Sequence, residues 1–137
     1  MTPTERDAFL SDVRIGVLGV ARPGGPPSLT PVWYRYADGV VEIATGSDSA
    51  KVALLQEAGT ASLCVQREDG AAPAFVTVEG PASTSPIPAG AVEAIASRYL
   101  GPEQGKAFAA GPGQHDDTLI SIRIERWRTS DFAKAAD

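Results

Sequence analysis

Apolar and polar positions alternate along most of the chain, and this pattern predicts a protein made mainly of β-strands with short helices. Each predicted strand is rich in β-branched, aromatic or other apolar residues and is bounded by Gly, Pro, Asp or Ser. The predicted strands are residues 13–20, 29–36, 40–43, 60–67, 75–80 and 119–127. Six strands joined mostly by tight turns indicate an antiparallel sheet that curls into a small barrel.

Turns and short helices separate the predicted strands. Asp38-Gly39 is a strong sequence signal for a two-residue β-hairpin turn. Thr4 can cap a first helix, because a hydroxyl at this position accepts a hydrogen bond from a free backbone N–H group. The proline-rich residues 83–88 predict a break in the sheet. The predicted helices outside the hairpin region are residues 4–10, 89–100 and 102–110.

Composition predicts one domain. The chain has 137 residues, of which 43% are apolar, so we expect a single unit over 1–137 with a core at about 10–130. A net charge of −5 without a basic stripe argues against nucleic acid as a partner. Cys64 is the single cysteine, which excludes an internal disulfide and favours a cytoplasmic location. No apolar run has membrane length, so we expect no membrane partner.

A loop after the predicted hairpin has the composition of an anion site. Residues 45–49, Thr-Gly-Ser-Asp-Ser, are followed by a helix with Lys51 in its first turn and Val52, Leu54 and Leu55 on one side. The loop therefore brings hydroxyl groups, free backbone N–H groups and a cation to a helix N-terminus, where a phosphate is well stabilised.

The remaining polar residues indicate no catalytic apparatus of their own. His115 has no second nitrogen or thiol ligand near it in sequence, so we predict no metal site. Cys64, between Leu63 and Val65, is interpreted as a small packed residue. A basic cluster, Arg123, Arg126 and Arg128, surrounds Trp127 and is either a solvated face or a source of ligand contacts. A chain without an acid–base pair fits an enzyme whose bound cofactor does the chemistry, and it fits a non-catalytic binding protein equally well.

The order of these segments resembles a known family. The chain has IGVLGV, a Gly/Pro loop, TPVWYRYADGVVEIATG, AKVALLQEAGTASLCV, FVTVEG and a basic last strand with a tryptophan. This order resembles the pyridoxamine 5′-phosphate-oxidase-like split β-barrels, which are FMN-binding-protein-like, and in particular their small flavin- and deazaflavin-dependent oxidoreductases. The resemblance implies a six-stranded antiparallel split β-barrel over roughly residues 10–130.

The resemblance also implies a homodimer, because this family binds its cofactor in a cleft between two subunits. By position, it assigns the cofactor ring to the segment from Pro31 to Trp33 and the ribityl chain and phosphate to the loop and helix that follow. The implied cofactor-binding residues are Pro31, Val32, Trp33, Thr45, Gly46, Ser47, Ser49 and Lys51, with Val76 and Val78 flanking the pocket. The substrate would be a small molecule that accepts hydride.

One position departs from the family pattern. Members often carry an arginine beside the lysine or two residues before it, where this chain has Ser49 and Ala50. The missing cation could be supplied by Arg126 or Arg128. Coenzyme F420, a deazaflavin, is placed slightly ahead of FMN, although FMN requires less positive charge. The alternative is a protein of the same fold that stores a cofactor or binds a tetrapyrrole without catalysis.

Overall fold

The computed structural model describes residues 1–68, 70, 72–111 and 117–135. The strands are β1 (Gly16–Val20), β2 (Ser28–Val32), β3 (Arg35–Ala37), β4 (Val40–Gly46), β5 (Thr60–Gln66), β6 (Ala74–Pro86), β7 (Asp117–Arg123) and β8 (Arg126–Asp131). The helices are α1 (Pro3–Ser11), α2 (Ala50–Ala58), α3 (Ala91–Leu100), α4 (Pro102–Ala109) and α5 (Phe132–Ala135). The prediction of a mainly β chain with short helices is confirmed.

All strands pair antiparallel in one curled sheet that forms a half-barrel. Seven strands follow the order β2-β1-β5-β6-β7-β4-β3, and β8 pairs with β6. The first part of the long strand β6 lies between β5 and β8, whereas its last residues, 82–86, pair with β7. Strand β6 therefore joins a β2-β1-β5-β6-β8 half to a β6-β7-β4-β3 half.

The described chain has eight strands where the sequence predicted six, because two predicted strands are each divided. Trp33 and Tyr34 separate β2 from β3, and Ile124 and Glu125 separate β7 from β8. At the second division, the N–H of Ile124 donates to the carbonyl of Gly39 (2.9 Å) and that of Glu125 donates to the carbonyl of Glu79 (3.0 Å). At both divisions, the chain passes from one half of the sheet to the other.

Two further element predictions were wrong at their ends. The break predicted over 83–88 is absent, since β6 continues to Pro86. A proline is tolerated there because it is the last residue of the strand and needs no ladder donor. The first helix is capped by Thr2, not by Thr4 as predicted. Thr2 at the N-cap and Glu5 in the first turn form a capping box, and Pro3 is the first residue of the helix.

The hairpin prediction is confirmed. Ala37 faces Val40 across a two-residue turn, in which Asp38 (φ 50°) and Gly39 (φ 78°) both adopt positive φ. Asp and Gly tolerate this conformation, and two positive φ values are the requirement of the turn type that best matches the twist of paired strands.

The core lies inside the curled sheet. It combines inward side chains of both halves with Phe9 and Leu10 of α1 and Val52 and Leu55 of α2. Tyr34 is the largest fully buried side chain, and its hydroxyl donates to the carbonyl of Leu10 (2.8 Å). None of the helices in the described part of the chain is long and apolar enough to cross a membrane.

Helices α3 and α4 form a helical hairpin on the β4 side of the sheet. Gly105 of α4 is buried directly against Ser97 of α3. A Cβ atom at Gly105 would lie 2.6 Å from the Cα and 2.7 Å from the backbone nitrogen of Ser97. The absence of a side chain at this position is therefore what lets the two helices approach each other.

Candidate functional site

A cleft of about 520 Å³ opens where the helical hairpin meets the ends of strands β2 and β4. Its volume is in the range of small-molecule and cofactor sites. Most of its wall is apolar. The lining residues are Ile15, Thr30, Pro31, Val32, Trp33, Ala44, Thr45, Gly46, Lys51, Val92, Ile95, Ala96, Phe108 and Asp117.

The start of α2 forms the polar part of this cleft. Strand β4 ends at Gly46, a short turn follows, and α2 begins after Ser49, so that Lys51 is the second residue of the helix. The first turn carries no acidic residue, and Ser49 makes no side-chain capping bond. The free N–H groups of this turn and the Lys51 ammonium therefore act together as a positive site.

The hydroxyl of Ser49 gives this helix start a further polar group. Its oxygen is buried and has no hydrogen-bond partner in the described structure. Buried hydroxyl groups in folded proteins are nearly always hydrogen-bonded. Ser49 is not among the lining residues of the cleft, but its hydroxyl lies at the same helix start as Lys51, which is.

The charge of the cleft comes from few side chains. Asp117, the first residue of β7, pairs in register with Gly46 and also lines the cleft. The described lining thus contains one cation and one carboxylate, which is less positive charge than a two-cation phosphate site.

Aromatic residues form another part of the wall. The Trp33 ring stacks on Tyr99 of α3 with centroids 5.1 Å apart and planes 10° apart. Phe108 of α4 packs on Trp33 at 5.3 Å and 53°. Burial raises the pKa of Tyr99, so this hydroxyl stays protonated at neutral pH. Trp33 and Phe108 thus give the cleft an aromatic, apolar wall, and Tyr99 supports Trp33 without itself lining the cleft.

Six of the predicted cofactor-binding residues line this one cleft: Pro31, Val32, Trp33, Thr45, Gly46 and Lys51. Ser47 and Ser49 lie in the turn between Gly46 and α2, where Ser47 is exposed. The structure thus brings together in one cleft the two segments, residues 31–33 and 45–51, that the family resemblance assigned to the cofactor ring and to its ribityl chain and phosphate.

Four predicted residues lie elsewhere. Val76 and Val78 are fully buried in the core, because alternate residues of β6 face the inside of the sheet. Arg126 and Arg128 are exposed on the outer face of β8, opposite Glu79 and Thr77 respectively, and do not line the cleft.

The interpretation of Cys64 as a packed residue was wrong. Its neighbours Leu63 and Val65 face the core, so Cys64 points outward and is exposed. His115 lies outside the described residues. Among those that are described, no group of three His, Cys, Asp or Glu side chains could hold a metal ion.

Several lining residues had not been singled out from the sequence. Val92, Ile95 and Ala96 come from α3, and nothing in the sequence of that helix shows that it faces a ligand. Phe108 and Asp117 come from α4 and the first position of β7. Their place in the cleft depends on how the helical hairpin packs, and no local pattern encodes that.

The sequence matches the family model of pyridoxamine 5′-phosphate oxidase over residues 2–131. This match covers nearly the whole chain, and the chain belongs to the pyridoxamine 5′-phosphate oxidase family. No curated protein matches the sequence.

Solved structures share the fold. A conserved hypothetical protein from Mycobacterium tuberculosis is 25% identical with a TM-score of 0.81, and the match covers 100% of this chain and 89% of that one. A protein described as an F420 reductase is 20% identical, with a TM-score of 0.74 and 89% and 94% coverage. A FAD-binding protein from Mesorhizobium loti is 19% identical, with a TM-score of 0.69 and 94% coverage of each chain.

Proposed function

We propose that this protein is an oxidoreductase that binds FMN or coenzyme F420 in the cleft and transfers hydride to or from a small molecule. The observation that carries the proposal is that one cleft combines an aromatic and apolar wall with a helix start suited to phosphate. A flavin needs both, namely a slot for its ring and several oriented donors for its phosphate.

The residues of the cleft fit such a group. Lys51 lines the cleft and provides a charge at the N-terminus of α2. The unpartnered hydroxyl of Ser49, at the N-cap of the same helix, is a donor that we assign to the phosphate. Gly46 lets the backbone approach a ligand closely, since it has no side chain. Thr45 and Ser47 are the further donors that we assign to the ribityl chain and phosphate.

The ring is assigned to the segment Pro31–Trp33 and the facing helical hairpin. When bound, a flavin or deazaflavin supplies the hydride chemistry itself. The work of the chain is therefore to bind and orient the ring and to exclude water with apolar residues such as Val92, Ile95 and Phe108. With one lysine in the described lining, the charge of the cleft suits the single phosphate of FMN better than the phosphate and polyglutamate tail of F420.

A second copy of the chain completes the site in this proposal. Val13, Ile15, Val17 and Leu29 are exposed by 54%, 43%, 37% and 67% on and before strands β1 and β2, and Ile15 also lines the cleft. A row of exposed apolar side chains continuous with an open cleft favours association.

In the proposed dimer, an arginine of the partner subunit supplies the missing cation, and the register of the sheet supports this assignment. Pro31, Val17, Cys64, Thr77 and Arg128 form one row across five paired strands on the outer face. In a two-fold pair whose axis lies between the two outer faces and runs along the strands over the middle of this row, the ends of the row exchange places. Arg128 of the partner subunit would then lie beside Pro31 at the edge of the cleft. Light scattering that gives only the monomer mass at micromolar concentration would remove this part of the proposal.

Calorimetric titration with FMN and with F420 tests the proposed site. Replacing Lys51 with alanine should weaken binding of either cofactor by ~1–3 kcal/mol, the scale of a lost charge-assisted hydrogen bond, with little change in stability. Lys106→Ala is the matched control, because Lys106 is exposed on α4 and does not line the cleft.

Each result of this titration has a defined meaning. A wild-type protein that binds neither cofactor contradicts the proposal. Equal affinity in wild type and Lys51→Ala shows that the phosphate lies elsewhere. If the protein binds reduced cofactor and a panel of conjugated carbonyl compounds does not oxidise that cofactor, the result favours the alternative of cofactor storage over catalysis.

A further inference from the structure

The chain crosses between the two halves of the sheet at Trp33 and Tyr34, where its backbone leaves the strand ladder. Polar backbone groups buried at such a crossing need other partners. The N–H of Tyr34 donates to the hydroxyl of Tyr99 (3.0 Å), and its carbonyl accepts from the guanidinium of Arg98. Two consecutive residues of α3 thus satisfy the crossing.

The same two side chains bind other segments as well. The Tyr99 hydroxyl donates to the carbonyl of Arg14 (2.7 Å), just before β1. Arg98 donates to the carbonyls of Ser11 (2.9 Å) and Asp12 (3.2 Å), at the end of α1. Helix α3 is therefore fixed to the sheet through polar contacts that converge on one place.

Tyr99 makes two different kinds of contact with the crossing. Its hydroxyl holds the backbone of Tyr34, and its ring lies flat against the ring of Trp33, 5.1 Å away. One side chain thus constrains both the peptide that follows Trp33 and the plane of the indole. Since Trp33 lines the cleft, the orientation of that wall depends on a residue that is not itself in the lining.

We infer that Tyr99 is a positioning residue, which sets the orientation of Trp33 as the aromatic wall of the cleft. Its effect on cofactor binding rests on the proposed function, whereas its effect on Trp33 does not. Tyr99→Phe separates the two contacts, because it keeps the stacked ring and removes the hydroxyl. The variant leaves the N–H of Tyr34 and the carbonyl of Arg14 without this partner.

The experiment uses tryptophan fluorescence together with cofactor titration. The chain has two tryptophans, so in a Trp127→Phe background the emission reports Trp33 alone. In that background, we expect Tyr99→Phe to increase acrylamide quenching of Trp33 and to lower its fluorescence anisotropy without added ligand. Affinity for FMN or F420 should fall about tenfold, because a Trp33 wall that is no longer held in place must be ordered when the cofactor ring binds.

Tyr36→Phe in the same background is the matched control. Tyr36 also loses a hydrogen-bonded hydroxyl, which donates to Asp7 (2.7 Å) away from the cleft. A general loss of stability would change both variants alike, whereas positioning changes the Trp33 emission only in Tyr99→Phe.

Two results would overturn the inference. The first is that acrylamide quenching and anisotropy of Trp33 in Tyr99→Phe are the same as in the Trp127→Phe parent or in the Tyr36→Phe control. The second is a protein that binds cofactor and keeps its full affinity in Tyr99→Phe. If the wild-type protein binds neither cofactor, the proposed function fails, and the fluorescence comparison alone decides whether Tyr99 positions Trp33.

Discussion

Replacing Gly105 with alanine should destabilise the protein even though alanine is the better helix former. In the interior of an exposed helix, Gly→Ala stabilises by about 1 kcal/mol. Here the added Cβ would lie 2.6 Å and 2.7 Å from the Cα and backbone nitrogen of Ser97. Because these are backbone atoms, no rotation of a side chain relieves the overlap, and the two helices must separate.

The magnitude follows from two opposing effects. Overpacking a tight contact costs typically 1–3 kcal/mol, and contact with backbone favours the upper end, about 3 kcal/mol. Subtracting about 1 kcal/mol for helix propensity leaves a net loss of about 2 kcal/mol. Cofactor affinity should fall too, because Val92, Ile95 and Phe108 of the helical hairpin line the cleft.

Urea unfolding followed by circular dichroism measures the loss as a lower midpoint at unchanged slope. Gly25→Ala is the control, since a Cβ at Gly25 meets only the Cδ of Arg22 at an ordinary 3.6 Å. The added Cβ would also overlap the Oγ of Ser97. Adding Ser97→Ala to Gly105→Ala removes that oxygen and should recover part of the stability, but not all of it, because the overlap with the backbone remains. A Gly105→Ala protein as stable as wild type would show that the close helix contact is not required.

Two further predictions concern pH. Burial and the hydrogen bond to Asp7 raise the pKa of Tyr36 to about 12. The contribution of this hydroxyl to stability is therefore complete below pH 10 and is lost as pH rises through 12. Tyr36→Phe should reduce the alkaline loss of stability measured by urea unfolding. The hydrogen bond from Lys134 lowers the pKa of Glu5 from 4.5 to about 2, so its contribution is present above pH 4.5 and is lost as pH falls through 2. Glu5→Gln keeps a side chain suited to the capping box, and an acid unfolding profile identical to wild type would contradict this assignment.

Local sequence determined the features that depend on a few neighbouring residues. Asp38-Gly39 specified its hairpin because the turn requires two positive φ values that these residues tolerate. The alternation around Leu63 and Val65 placed both in the core, and the same alternation places Cys64 outside, although the residue type had favoured burial. The helix start at Lys51 was identified by its loop composition and does border the cleft.

Tertiary structure decided what depends on segments distant in sequence. Strands were miscounted because an apolar run looks continuous whether or not the chain changes partners within it, as happens at Trp33 and at Ile124. Val78 was assigned to the pocket by its position in a family pattern, and Arg126 was a candidate for the missing cation. The sheet turns Val78 into the core and Arg126 to the outer face. The aromatic wall is a product of helix packing, since Tyr99 meets Trp33 only because α3 docks on the crossing of the sheet.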